Sequence, residues 1–211
     1  MKQRQRCRCS FMLERCESVP IIRNILRVQG GSAKAAALFD FIADRTLGRG
    51  SVDFNRITPM PPWVFREATN RDLLKKYGEE NCSRGWCMKH WGCAQNVLHP
   101  EETQKLYDNG DTLRFDTEDN DVWELIQKLS LVFKDVYLDY LWASEDVGSN
   151  VGAMQFKDGE ILIEFIPAAG SRVAVEKSLD ILGARATDFG LVYDANSGNY
   201  EYRGSDRLGK A

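Results

Sequence analysis

The chain is poor in histidine, with 2 in 211 residues. Imidazole chemistry is therefore confined to His90 and His99, which excludes a metal centre or proton relay built on several histidines. No apolar run reaches the roughly 18 residues that a membrane-spanning helix needs. Charge of one sign is also lacking: 28 Lys and Arg stand against 31 Asp and Glu, for a net charge of −3. Nothing global draws such a chain to nucleic acid or to an anionic membrane. The N-terminus is basic (Lys2, Arg4, Arg6, Arg8), but the apolar stretch after it, Phe11-Met12-Leu13, is too short for a secretory leader and is cut off by Glu14 and Arg15. A cytoplasmic protein is expected. Thiols stay reduced in that compartment, so six cysteines do not imply three disulfides.

What the chain does have is concentrated between Asn81 and Asn96. This stretch, NCSRGWCMKHWGCAQN, holds Cys82, Cys87 and Cys93, His90, and two of the five tryptophans, Trp86 and Trp91. Three thiols and an imidazole are the donor types of a tetrahedral zinc site. The spacing Cys82-x4-Cys87-x2-His90-x2-Cys93 nevertheless matches no standard finger, knuckle or ribbon, because such sites divide into two short-spaced halves. Zinc, or a thiol nucleophile served by His90 or His99, stands as the alternative to a simpler reading. In that reading the cysteines are small buried hydrophobes and the tryptophans supply core mass.

Taken in order, residues 1–19 form an expected flexible basic tail. Residues 20–110 form a β-α-β start followed by a loop-rich region. Ile21 to Val28 reads as a strand, and Gly30-Gly31 turns into a helix capped by Ser32. Val52 to Ile57 reads as a short strand, and Pro59, Pro61 and Pro62 stop regular structure. The Gly-Gly turn is not G-x-G-x-x-G, so this start implies no phosphate loop. Arg71 to Tyr77 is a short helix, and Ala94 to Leu98 is a further candidate strand.

Residues 111–203 carry the clearest pattern, and 204–211 form a second tail. Thr112 to Asp116 is a strand. Asn120 or Asp121 caps a helix with Glu124 at capping-box spacing, and Val122, Leu125, Ile126, Leu129 and Phe133 form its apolar stripe. Strands at 136–141, 151–156 and 161–166 follow, the last two joined by an Asp158-Gly159 hairpin turn. A helix capped by Ser171 and a final strand at 186–193 complete the set. The order predicts an α+β fold: an antiparallel sheet with helices on one face and a ferredoxin-like, split β-α-β second half. That shape hosts many unrelated functions and decides none.

Three segments resemble a known family. Asp53-Phe54-Asn55-Arg56-Ile57-Thr58-Pro59-Met60-Pro61 is similar to its DFN-x-I-x-PMP segment, Trp86-Cys87-x-x-His90-Trp91-Gly92 to its WC-x-x-NWG, and Phe115-Asp116-Thr117 to its FDT. These belong to the YubB-type family of plasmid, phage and bacterial proteins with a ferredoxin-like domain. The resemblance spans about residues 20–166. It implies a ferredoxin-like fold and a mobile-element origin, and it carries no established activity. His90 stands where the family has Asn and Cys93 where it often has Thr, which argues against a required metal site.

The functional expectation is a non-enzymatic interaction module without a cofactor, whose motif loops meet at one end of the sheet. Trp86, Trp91, Asn96 and Asp116 are the expected contacts to a host protein or nucleic acid. A nucleic-acid reading would instead use the basic tail and the sheet aromatics Tyr137, Tyr140 and Trp142.

Overall fold

A computed structural model of the chain describes residues 19–68 and 70–203; the two expected tails lie outside the described residues, apart from Val19. The strand Ile21–Gln29 (β1) leads into the helix Ser32–Ile42 (α1). Three short helices follow: Arg71–Tyr77 (α2), Ser83–His90 (α3) and Pro100–Leu106 (α4). The second half supplies Thr112–Glu118 (β2), Trp123–Val132 (α5), Tyr137–Ser144 (β3), Val151–Lys157 (β4), Glu160–Phe165 (β5) and Arg172–Leu182 (α6). A small hairpin, Leu191–Asp194 (β6) and Asn199–Tyr202 (β7), ends the described chain.

Five strands form one antiparallel sheet in the order β2-β1-β3-β4-β5. The protein is thus α+β and ferredoxin-like, and both parts of the chain build the same sheet. β1 pairs antiparallel with β2 on one side and with β3 on the other, so β2 and β3 run parallel with β1 between them. The crossover β2-α5-β3 is therefore a split β-α-β unit whose inserted strand comes from more than 80 residues earlier in the chain. At the other end, Asp158 (φ 53) and Gly159 (φ 82) both take left-handed backbone. This is the turn the Asp-Gly pair predicts, and it joins β4 to β5.

Alternation sorts the sheet's two faces. Ile22, Leu26 and Val28 of β1, Leu138, Tyr140 and Trp142 of β3, and Met154 and Phe156 of β4 share one core with Leu38, Phe39 and Ile42 of α1 and Leu125, Ile126 and Leu129 of α5. The intervening residues Ile25, Leu141, Ala143 and Val151 face the other way and pack on Ala174 and Ile181 of α6. Helices thus cover both faces, and the expectation of helices on one face is corrected: the second face keeps a small apolar patch that α6 caps. Ser171 Oγ accepts from Ala174 N (3.2 Å) to start α6, as its sequence suggests.

Three further expectations change. Val52 to Ile57 is not a strand, because Asp53 Oδ1 accepts from Asn55 N (3.0 Å) and turns the chain into a 3-10 turn at Phe54–Arg56. The last strand does not join the main sheet. Residues 186–189 form a 3-10 turn, and among the described residues β6 pairs only with β7, held against α6 through Leu191, Val175 and Leu179. Helix α5 begins one residue late, with Val122 in the cap position and Asp121 accepting from Trp123 N (3.3 Å).

Candidate functional site

The cysteine-rich stretch folds as α3 and the turn after it. Its aromatic side chains point inward: Trp86 is 3% exposed and Trp91 2%. Trp91 packs edge-on to Phe54 (5.7 Å) and Trp86 (5.4 Å), and its Nε1 donates to Thr58 O (2.8 Å). His90 stacks on Trp86 at 4.4 Å. Asn96 joins the loops. Its Oδ1 accepts from Phe54 N (3.0 Å) and Val97 N (2.9 Å), and its Nδ2 donates to Asp53 Oδ1 (2.7 Å). Asn55 Oδ1 accepts from Met60 N (3.1 Å) and fixes the proline-rich turn. Residues 94–98 then run along the outer edge of β2, with Ala94 N donating to Glu118 O (3.2 Å) and Leu98 N to Asp116 O (2.9 Å).

Two of the motif segments, 53–61 and 86–92, thereby border an open cleft of about 390 Å³, and the third, 115–117, lies outside it. Its rim carries Arg66, Ser83, Arg84 and Gln95; Asn55, Met60, Asn96 and Glu118 line it, and Trp91 and Cys87 form part of its floor. Arg84 is neutralised by Asp119, which it contacts directly, and by Glu118 at 3.6 Å; Gln95 donates to Glu118. Among the described residues Arg66 reaches only Met60 O, at 3.4 Å, and is exposed. A volume of this size suits a small polar group or a side chain of a macromolecule.

Cys87 and Cys93 are poor nucleophiles. Burial pushes the Cys87 thiol up to about 11 from an ordinary 9.0, and burial, reinforced by the nearby Cys87, pushes Cys93 up to about 12. Cys93 donates to Gln95 O (3.0 Å) and Cys82 to Gly78 O (3.4 Å). Cys82 sits at the start of α3, Cys87 and His90 on the helix, and Cys93 past its end, and they do not converge. Among the described residues no group of three or more His, Cys, Asp and Glu could hold a metal ion. Cys82, Cys87, His90 and Cys93 form no such group there.

Of the expected contact residues, Trp86 and Trp91 are corrected from surface contacts to core, because their rings are consumed by packing. Asn96 lines the cleft but spends its amide on holding the loops. Asp116 is not brought there: it pairs with Arg23, directly opposite it on β1, and lines a separate cavity of about 120 Å³ with His99 and Arg114. Tyr140 and Trp142 are buried beneath the helices and cannot stack bases; Tyr137 alone of the three is exposed, under Lys157. The rim residues Arg66, Ser83 and Gln95 were not singled out by the sequence reading. Their only sequence signal is position, beside the Pro-Pro-Trp turn and within the cysteine stretch.

Beneath the cleft lies a buried polar network. Asn24 donates to Thr117 Oγ1 (3.0 Å) and Ile22 O (2.9 Å), and accepts from Tyr140 OH (2.6 Å); Tyr140 OH in turn accepts from Val122 N (2.8 Å). Among the described residues every buried side-chain polar atom has a partner.

Residues 97–184 match a family model described as the ferredoxin-like domain in Api92-like protein. That segment runs from just before α4 through α6 and takes in β2 to β5, so the sheet's β1 comes from outside it. No curated protein and no solved structure matches the chain. No helix among the described residues is long and apolar enough to cross a membrane.

Proposed function

We propose that this chain is a non-enzymatic recognition module of a mobile genetic element, acting in the cytoplasm on a host protein through the cleft between residues 53–61, 83–96 and 118. The reading rests on one observation: motif segments far apart in sequence converge on a single open, polar-rimmed cleft, while their cysteines and tryptophans are spent on holding it. The exposed Arg66, the Ser83 hydroxyl and the Gln95 amide are the groups a partner would meet. The zinc or thiol alternative has no comparable support, since its four side chains do not converge. A nucleic-acid role is weakened by the burial of Tyr140 and Trp142.

Site-specific photo-crosslinking in a bacterial host tests this. A crosslinker at Gln95 should capture one discrete protein species, and Arg66→Glu should abolish that capture while leaving the thermal melt unchanged. Equal capture from a crosslinker at Tyr137, on the far side of the sheet, or none at Gln95, contradicts the reading.

A further inference from the structure

The two edges of the main sheet are treated differently. The outer edge of β2 is shielded by residues 94–98, which bond to Glu118 O and Asp116 O. No described strand pairs with the outer side of β5. A bare edge strand presents a row of unpaired N–H and C=O groups, and proteins usually blunt one with lysine, proline or brevity. β5 has six residues, neither lysine nor proline, and the sequence Glu-Ile-Leu-Ile-Glu-Phe. Its only defences are two glutamates and a bulge opposite Phe156.

Its apolar side chains are out of the core on both faces of the sheet. Ile161, Leu162, Ile163, Phe165 and Ile166 are 39, 47, 57, 40 and 58% exposed, and Leu131, which packs against the β4–β5 turn, is 52% exposed. Together these six leave roughly 500–600 Å² of apolar surface, about what each partner contributes to a standard interface of which somewhat over half is non-polar.

We propose that a second copy of this chain occupies the edge, antiparallel, joining two sheets into one of ten strands. The strand's own sequence argues for self-pairing. A two-fold axis perpendicular to a continuous antiparallel sheet must set one residue opposite itself. Centred on Glu164, the pairing opposes two carboxylates. Centred on Leu162, it puts on the axis the bulged residue, which has no partner on β4. Centred on Ile163, it avoids facing carboxylates and sets Ile163 on its own copy, with Phe165 two residues along on the same face. Like charges directly opposite are destabilising and apolar pairs are favourable, so the Ile163 register is selected. This inference is independent of the cleft, which lies by β2 at the opposite edge.

Sedimentation of the full chain from about 1 to 100 μM tests it. A dimer is expected, and Ile163→Lys, which sets two ammonium groups together on the axis, should weaken it by about 100-fold or more. A monomer throughout, or a dimer indifferent to Ile163→Lys, overturns the proposal. Should that variant fail to fold, Ile163→Cys in a chain with Cys7, Cys9 and Cys16 replaced by Ser decides. Oxidation should crosslink it through position 163, and a dimer that does not crosslink there, or its absence, overturns the proposal.

Discussion

Tyr140 and Asn24 show how a few buried polar atoms fix the centre of the sheet. Tyr140 is fully buried, its hydroxyl bridging Val122 N and Asn24 Oδ1. Removing that oxygen leaves a donor and an acceptor without partners in the interior. Tyr140→Phe should therefore cost about 1–3 kcal/mol in urea unfolding, although it is more apolar. The thiols make a second residue-scale prediction. Their folded-state pKa values lie above the ordinary 9.0, so their contribution is present below pH 9 and lost as pH rises toward about 11 for Cys87 and about 12 for Cys93. Unfolding free energy should fall by on the order of 2 kcal/mol between pH 8 and 10.5, and less in Cys93→Ala. A flat profile would place these thiols in solvent. At this scale the sequence identified the cluster and offered both directions for it, core mass and surface contact, and the structure takes the first. Buried and exposed tryptophans look alike in a loop without periodicity, and only the contacts with Phe54 and Thr58, some 30 residues away, turn Trp91 inward.

Elements with a local cause were legible. Ser171 and Gly183 bound α6, Asp158-Gly159 makes its hairpin, and the apolar stripe of α5 packs as its period demands. The place of β1 was not legible. Its alternation marks a strand, but pairing to β2 and β3 joins residues some 90 to 120 positions apart, and nothing local encodes that choice. The final strand misled for a related reason: 191–194 has strand character, but its partner is β7 and its support is α6. An element-scale prediction follows from β4. A Cβ at Gly152 would lie 2.2 Å from the Trp142 ring, whose Nε1 is held by Asn150 at 2.8 Å. Gly152→Ala should destabilise by about 1–3 kcal/mol through overpacking, read as a lowered melting temperature. Gly198→Ala, where no atom lies within 4 Å and only the φ of +69 resists, should cost less.

Over the whole molecule, one sheet carries a scaffolded cleft beside one edge and a bare apolar strand at the other. The order of helix and strand patterns anticipated the α+β class, and two of the three motif segments, 53–61 and 86–92, lie where the loops meet. The cleft rim and the open edge depend on which strands end up outermost, a property of the assembled sheet. Because β1 crosses from the N-terminal part into the centre, the two parts should unfold together. Tryptophan fluorescence and far-ultraviolet circular dichroism should give coincident urea transitions, and two separated transitions would contradict a shared core.

The claim that most needs testing is that the cysteine-rich stretch is scaffold and not a reactive centre. Site-resolved alkylation of the native chain at pH 8, read by mass spectrometry, addresses it directly. Cys82, Cys87 and Cys93 should label only through unfolding, far more slowly than free cysteine and faster with added urea. Rapid, urea-independent labelling of any of the three would contradict the account and return the stretch to the centre of a chemistry.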